Sequence, residues 1–194
     1  MDDSSINPGY FDQESIKKIR SLYHSNKDFS SITLQNFFSG RTFQKCRKEL
    51  AKLKFIKDKD PLHHSYAIAK LSGVLQTIIS HKDLTSFLSL ILNKKIKKIE
   101  ASAYLISWKD YSILHDEAKE KPGIDLIVDC TSGWDERAGG SIIYVDGTGH
   151  YHRIPAKENQ LIIAERTKPI QRFFQYVNHY SQPKKRLLIM GTIR

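Results

Sequence analysis

From Ile99 to the end, this chain is a succession of short β-compatible runs separated by turn residues, and no other feature restricts its folding as much. Ala103–Ile106, Ile124–Val128, Ser141–Val145, Leu161–Ala164, Phe173–Val177 and Arg186–Ile193 are rich in β-branched, aromatic and aliphatic side chains. Gly139-Gly140, Asp146-Gly147-Thr148-Gly149 and Ser181-Gln182-Pro183-Lys184-Lys185 read as the turns between them. Short strands joined by turns leave their edges unpaired unless they close into a barrel or a double sheet, so an antiparallel double sheet or barrel is expected.

The first half has a different character. Apolar residues recur at helical spacing in Ile16, Ile19 and Leu22-Tyr23, in Leu34, Phe37 and Phe38, and in Phe43, Leu50, Leu53 and Phe55. Tyr66–Ile79 and Asp83–Ile91 continue the pattern, the latter opening on an aspartate suited to cap a helix. His63-His64 falls in the loop after Pro61, without a third metal ligand nearby. A chain of 194 residues suits one core rather than two. The expectation is one domain, α+β with a mainly β core: helical residues 1–98 packed outside a β core of residues 99–194.

Composition narrows the partners. Hydrophobic residues make up 40% and charged residues 27%, the balance of a globular chain rather than a disordered one. The opening Met-Asp-Asp-Ser-Ser has neither the basic nor the apolar part of a secretory signal, and no run approaches the roughly 20 apolar residues of a membrane span. A cytoplasmic location without membrane contact is expected. Cys46 and Cys130 follow no metal or redox spacing and read as reduced thiols. The net charge of +10 favours an anionic partner, such as an acidic protein or an anionic small molecule. Nucleic acid ranks below these, because no alternation of arginine and aromatic residues marks a base-stacking platform.

His115-Asp116-Glu117 offers a metal pair, although by itself a histidine beside two acids also reads as a salt-linked surface strand. On a strand, His115 and Glu117 point to one face, and an imidazole beside a carboxylate makes two of the three protein ligands of a non-haem iron site. Asp116 points the other way and is the fallback carboxylate.

Several ordered motifs then resemble the iron(II)- and 2-oxoglutarate-dependent oxygenases, in the branch that includes prolyl 4-hydroxylases. Tyr104, Trp108-Lys109-Asp110-Tyr111 and His115-Asp116-Glu117 are similar to that branch's tyrosine strand, its short turn and its iron-binding pair. Trp134 to Gly140, Ile154-Pro155 with Asn159–Ile163, and Arg186–Gly191 follow in the family's order. The resemblance covers roughly residues 30–194 and implies a double-stranded β-helix, also called a jelly roll or cupin-like fold, with helices against it.

It further implies an oxidoreductase: a dioxygenase that binds Fe(II), consumes 2-oxoglutarate and hydroxylates an amino acid, a peptide or a related small molecule, free or tethered to a carrier. His115 and Glu117 would hold the metal, and the protein would contribute no catalytic group beyond its ligands. Arg186 would hold the far carboxylate of the co-substrate, with Tyr104 as a possible hydrogen-bond partner. Trp134 and the two glycines are fold-bearing, the tryptophan filling a corner and the glycines permitting a bend.

One position departs from the family. Its second histidine aligns with Arg172, and a guanidinium does not ligate metal. Three readings remain open. A replacement ligand comes from His150, His152, His179 or water; or the iron site has only two protein residues; or the fold has lost its metal and serves as a binding or regulatory module for an acidic protein or an anionic ligand. In the last case Arg172 fills the iron position or pairs with Glu117, and otherwise it contacts substrate or co-substrate.

Overall fold

The computed structural model describes residues 5–25, 29–114 and 122–193. Its elements in chain order are α1 (Gln13–Tyr23), β1 (Ser31–Leu34), α2 (Gly40–Ala51), β2 (Ile56–Asp60), β3 (His64–Lys70), α3 (Gly73–Ile79) and α4 (Lys82–Leu92). Then follow β4 (Ile99–Ile106), β5 (Tyr111–Ser112), β6 (Gly123–Asp129), β7 (Ile142–Val145), β8 (Tyr151–Ile154), β9 (Gln160–Arg166), β10 (Gln171–Phe174) and β11 (Arg186–Ile193).

Two antiparallel sheets face each other. The larger has the order β1-β9-β6-β11-β4-β3-β2, with β5 added onto β3; the smaller has the order β10-β7-β8. β11 is the centre of the larger sheet, with Ile189 opposite Ala103 of β4 on one side and Val128 of β6 on the other. Strand alternation divides each central strand between two cores. On β6, Leu126 and Val128 join the helices, while Ile127 packs between the sheets with Ile142, Ile162, Leu188 and Phe174. Asp125 and Asp129 share the parity of Ile127, so a central strand carries two carboxylates into the space between the sheets.

The helices cover the outer face. α1 starts where the Asp12 carboxylate accepts the Ser15 N–H at 2.8 Å, and α4 stops where Asn93 turns left-handed at φ 51°. α4 buries Leu84, Phe87, Leu88 and Ile91 at helical spacing, each worth roughly 1.5–3 kcal/mol of burial. Among the described residues no helix is long and apolar enough to cross a membrane.

The helical reading of residues 1–98 needs correction. Tyr66–Ile79 is not one helix: His64–Lys70 forms β3, and only Gly73–Ile79 is helical. Leu34 closes β1, and β1, β2 and β3 all extend the larger sheet. β3 is recruited by its neighbours, for Ala67 to Lys70 pair with Ser102 to Leu105 of β4 and Ile56 to Asp60 pair with its other edge. That pairing overrides the helix preference of its alanines and lysine. His64 thus opens β3 rather than lying in a loop, and the cap of α4 is His81, with Asp83 in its first turn.

Candidate functional site

β5 pairs with β3 of the larger sheet and touches β10 of the smaller one. There the Phe174 N–H of β10 donates to the Ser112 hydroxyl at 2.7 Å, and the Ile113 N–H donates to the His63 carbonyl at 2.9 Å. Leu114 leads out of this junction. His115, Asp116 and Glu117 lie outside the described residues.

Arg172, at the position aligned with the second histidine, points into the space between the sheets and closes on Asp125, Nη1 to Oδ2 at 2.9 Å. Asp125 is fully buried and also receives Arg166 Nε, at 3.0 and 2.8 Å from its two oxygens, and the Tyr144 hydroxyl at 2.9 Å. The larger sheet supplies Asp125 and Arg166, the smaller one Arg172 and Tyr144, so this cluster ties the two together. Burial, reinforced by the Asp125 charge, holds the Tyr144 phenol well above its usual range and keeps it a donor. Beside the cluster a groove of about 450 Å³ opens to solvent, lined in part by Lys94, Lys95, Glu165, Arg166 and Lys168.

Arg186 lies at the other end of the interior, wholly buried. Its Nη2 and Nε donate to Asp129 Oδ2 at 2.7 and 3.2 Å, and its Nη1 donates to the Gly140 carbonyl. Asp129 is itself fixed by the backbone N–H groups of Thr131 at 3.0 Å and Lys157 at 3.2 Å. Gly140 sits under Trp134, where a Cβ would come within 3.3 Å of the indole, and the indole N–H donates to the Gly139 carbonyl at 3.0 Å. The expected fold-bearing role of the tryptophan and paired glycines is visible in these contacts. Tyr104 packs in the inter-sheet core with Tyr66 and Phe174, at ring separations of 5.5 and 6.3 Å.

The histidines considered as replacement ligands are dispersed. His150 is exposed at the β7–β8 turn with Asp146 and Thr148, His152 lies against Phe29 at 4.6 Å, and His179 is exposed against Tyr180. His63 and His64 pair with Asp60 and Asp58, and Cys46 and Cys130 are buried and free. Among the described residues no three metal-ligating side chains gather into a group. They do not by themselves make an iron site.

No motif singles out Asp125, Asp129, Arg166 or Tyr144 in the sequence. Their signal is parity: within Ile124–Asp129, the two aspartates share the face of Ile127, in a strand apolar on both sides.

Neither a family model nor a curated protein matches this sequence. Solved structures do match. A prolyl-4-hydroxylase from Pseudomonas putida superposes with a TM-score of 0.69 at 11% identity, over 91% of this chain and 98% of that one. An oxidoreductase of the 2OG-Fe(II) oxygenase family from Burkholderia pseudomallei gives 0.72 at 8% identity, over 94% and 92%. The fold is that of the 2-oxoglutarate/Fe(II) oxygenases. HygX from Streptomyces hygroscopicus, solved with nickel, 2-oxoglutarate and hygromycin B bound, has the same oxygenase fold, with a TM-score of 0.61 at 12% identity over 89% and 85%. Within this oxygenase fold the Asp125 cluster and the Asp129–Arg186 pair occupy the space between the sheets.

Proposed function

We propose that this chain is a 2-oxoglutarate/Fe(II)-type oxygenase that hydroxylates an amino acid, a peptide or a related small molecule, with His115 and Glu117 as its metal ligands. The observation that carries this reading is the junction of Ser112 with Phe174: the strand leading to His115 runs beside β10, the strand that bears Arg172. The wider support is the fold shared with HygX, which was solved with nickel and 2-oxoglutarate bound. Arg172 is the cation assigned to substrate or co-substrate contact; its side chain keeps 12% exposure, whereas Arg186 has none. The basic groove next to the cluster suits an anionic molecule or the acidic surface of a carrier.

Metal titration with product analysis tests the reading. The folded chain should take up one Fe(II) or Mn(II) and convert 2-oxoglutarate to succinate, and His115→Ala should lose both. A well-folded sample that takes up no metal overturns it.

A second reading has its own observation in two inward ion pairs, Arg172 with Asp125 and Arg186 with Asp129. Carboxylates of the chain then satisfy its arginines, and the fold acts as a binding module for an acidic protein or anionic ligand. On this reading metal uptake is nil, and affinity for the acidic partner falls as ionic strength rises.

A further inference from the structure

We infer that Asp129 is a built-in occupant of the arginine fork: its carboxylate stands at Arg186 where the resemblance puts the far carboxylate of a dicarboxylic co-substrate, so Arg186 does not anchor one. The inference goes beyond the proposed activity and does not depend on metal.

Three features make the occupation permanent rather than incidental. Both members of the pair are fully buried, so no water-filled space separates the fork from its aspartate. The aspartate is held from three directions: Arg186 Nε and Nη2 reach Oδ2, the Lys157 N–H reaches the same oxygen, and the Thr131 N–H reaches Oδ1. The third nitrogen of the guanidinium, Nη1, is taken by the carbonyl of Gly140, a residue whose Cα side is filled by Val177 and Trp134. The register fixes the pair as well. Asp129 is opposite Leu188 on β11, two residues along from Arg186 and on the same inward face. For an entering carboxylate to use this fork, Asp129 would have to leave two backbone donors and remain a buried charge without its partner, which is strongly unfavourable. A dicarboxylate that enters the interior therefore does not meet its cation at Arg186.

The test uses the full chain and simple carboxylates. Thermal midpoints are measured in sodium acetate and in sodium chloride at equal ionic strength. The unaltered protein should give the same midpoint in both. Asp129→Ala, which leaves the guanidinium facing a carboxylate-sized space, should melt lower and recover progressively with acetate but not with chloride, as linkage requires for a ligand bound to the folded state alone. A folded Asp129→Ala that ignores acetate overturns the inference. If that variant does not fold, the unaltered protein decides: the Arg186 Nε–H resonance is followed by NMR during titration with 2-oxoglutarate. It should stay in place, and a saturable shift overturns the inference whatever the chain does with iron.

Discussion

Tyr144 shows how a single side chain is set by its surroundings. Its hydroxyl donates to Asp125 beside the guanidiniums of Arg166 and Arg172, in a space where an unsatisfied charge is costly. Tyr144→Phe removes that donor and little volume. It should destabilise the chain by about 1.5–3 kcal/mol, the range for a hydrogen bond to a charged group, as read from urea unfolding. No change in the unfolding midpoint would show that the arginines alone satisfy Asp125. The sequence made Arg172 and Arg186 visible because motif order singled them out, but their partners stayed hidden. Asp125 and Asp129 lie in a run that reads simply as a strand, and a buried carboxylate acquires its meaning from an arginine on another strand. The triplet at His115 stood out most in the sequence, yet it lies outside the described residues.

Among elements, the β7–β8 hairpin is governed by one carboxylate. Asp146 accepts from the Thr148 N–H at 2.8 Å, the Thr148 hydroxyl at 2.7 Å and the His150 N–H at 3.0 Å. These bonds, that of the Thr148 side chain foremost, lower its pKa from 3.8 to about 2. A lowered folded-state pKa stabilises the turn above the unfolded value, and that stability is lost as pH falls from 3.8 toward about 2. The Thr148 amide shift should therefore titrate near 2 rather than 3.8, and Asp146→Asn should abolish the step. A midpoint at 3.8 would mean that the turn does not engage the carboxylate.

The glycine corner is stiffer. A Cβ on Gly139 would lie 2.3 Å from the Tyr176 carbonyl oxygen at a φ of 76°. Gly139→Ala should cost about 1–3 kcal/mol or more in urea unfolding, where an ordinary loop glycine would cost little. Element legibility followed the same physics. Arg186–Ile193 is legible to its full boundaries because its β-compatible residues follow the 181–185 turn directly. β3 reads as helix because a strand with two alanines runs into a true helix after two residues, and what distinguishes it is its pairing to β2, β4 and β5.

At the scale of the molecule, the two sheets are unequal. The smaller one has three short strands of four residues each, and it is held by the apolar layer beneath it and by the Asp125 cluster. The larger sheet has a second support in the helical core, to which β6, β9 and β11 all contribute. Cutting the ties between the sheets should therefore loosen one layer before the other. Asp125→Asn removes the charge that Arg166 and Arg172 share while nearly preserving shape. Hydrogen exchange under native conditions should then accelerate at the β7, β8 and β10 amides by about 10-fold or more, as expected of a low-stability unit, while β4, β6 and β11 keep their protection relative to global unfolding. Equal acceleration in both sheets would show that they unfold only together, and would make the cluster a source of overall stability rather than the clasp of the smaller sheet.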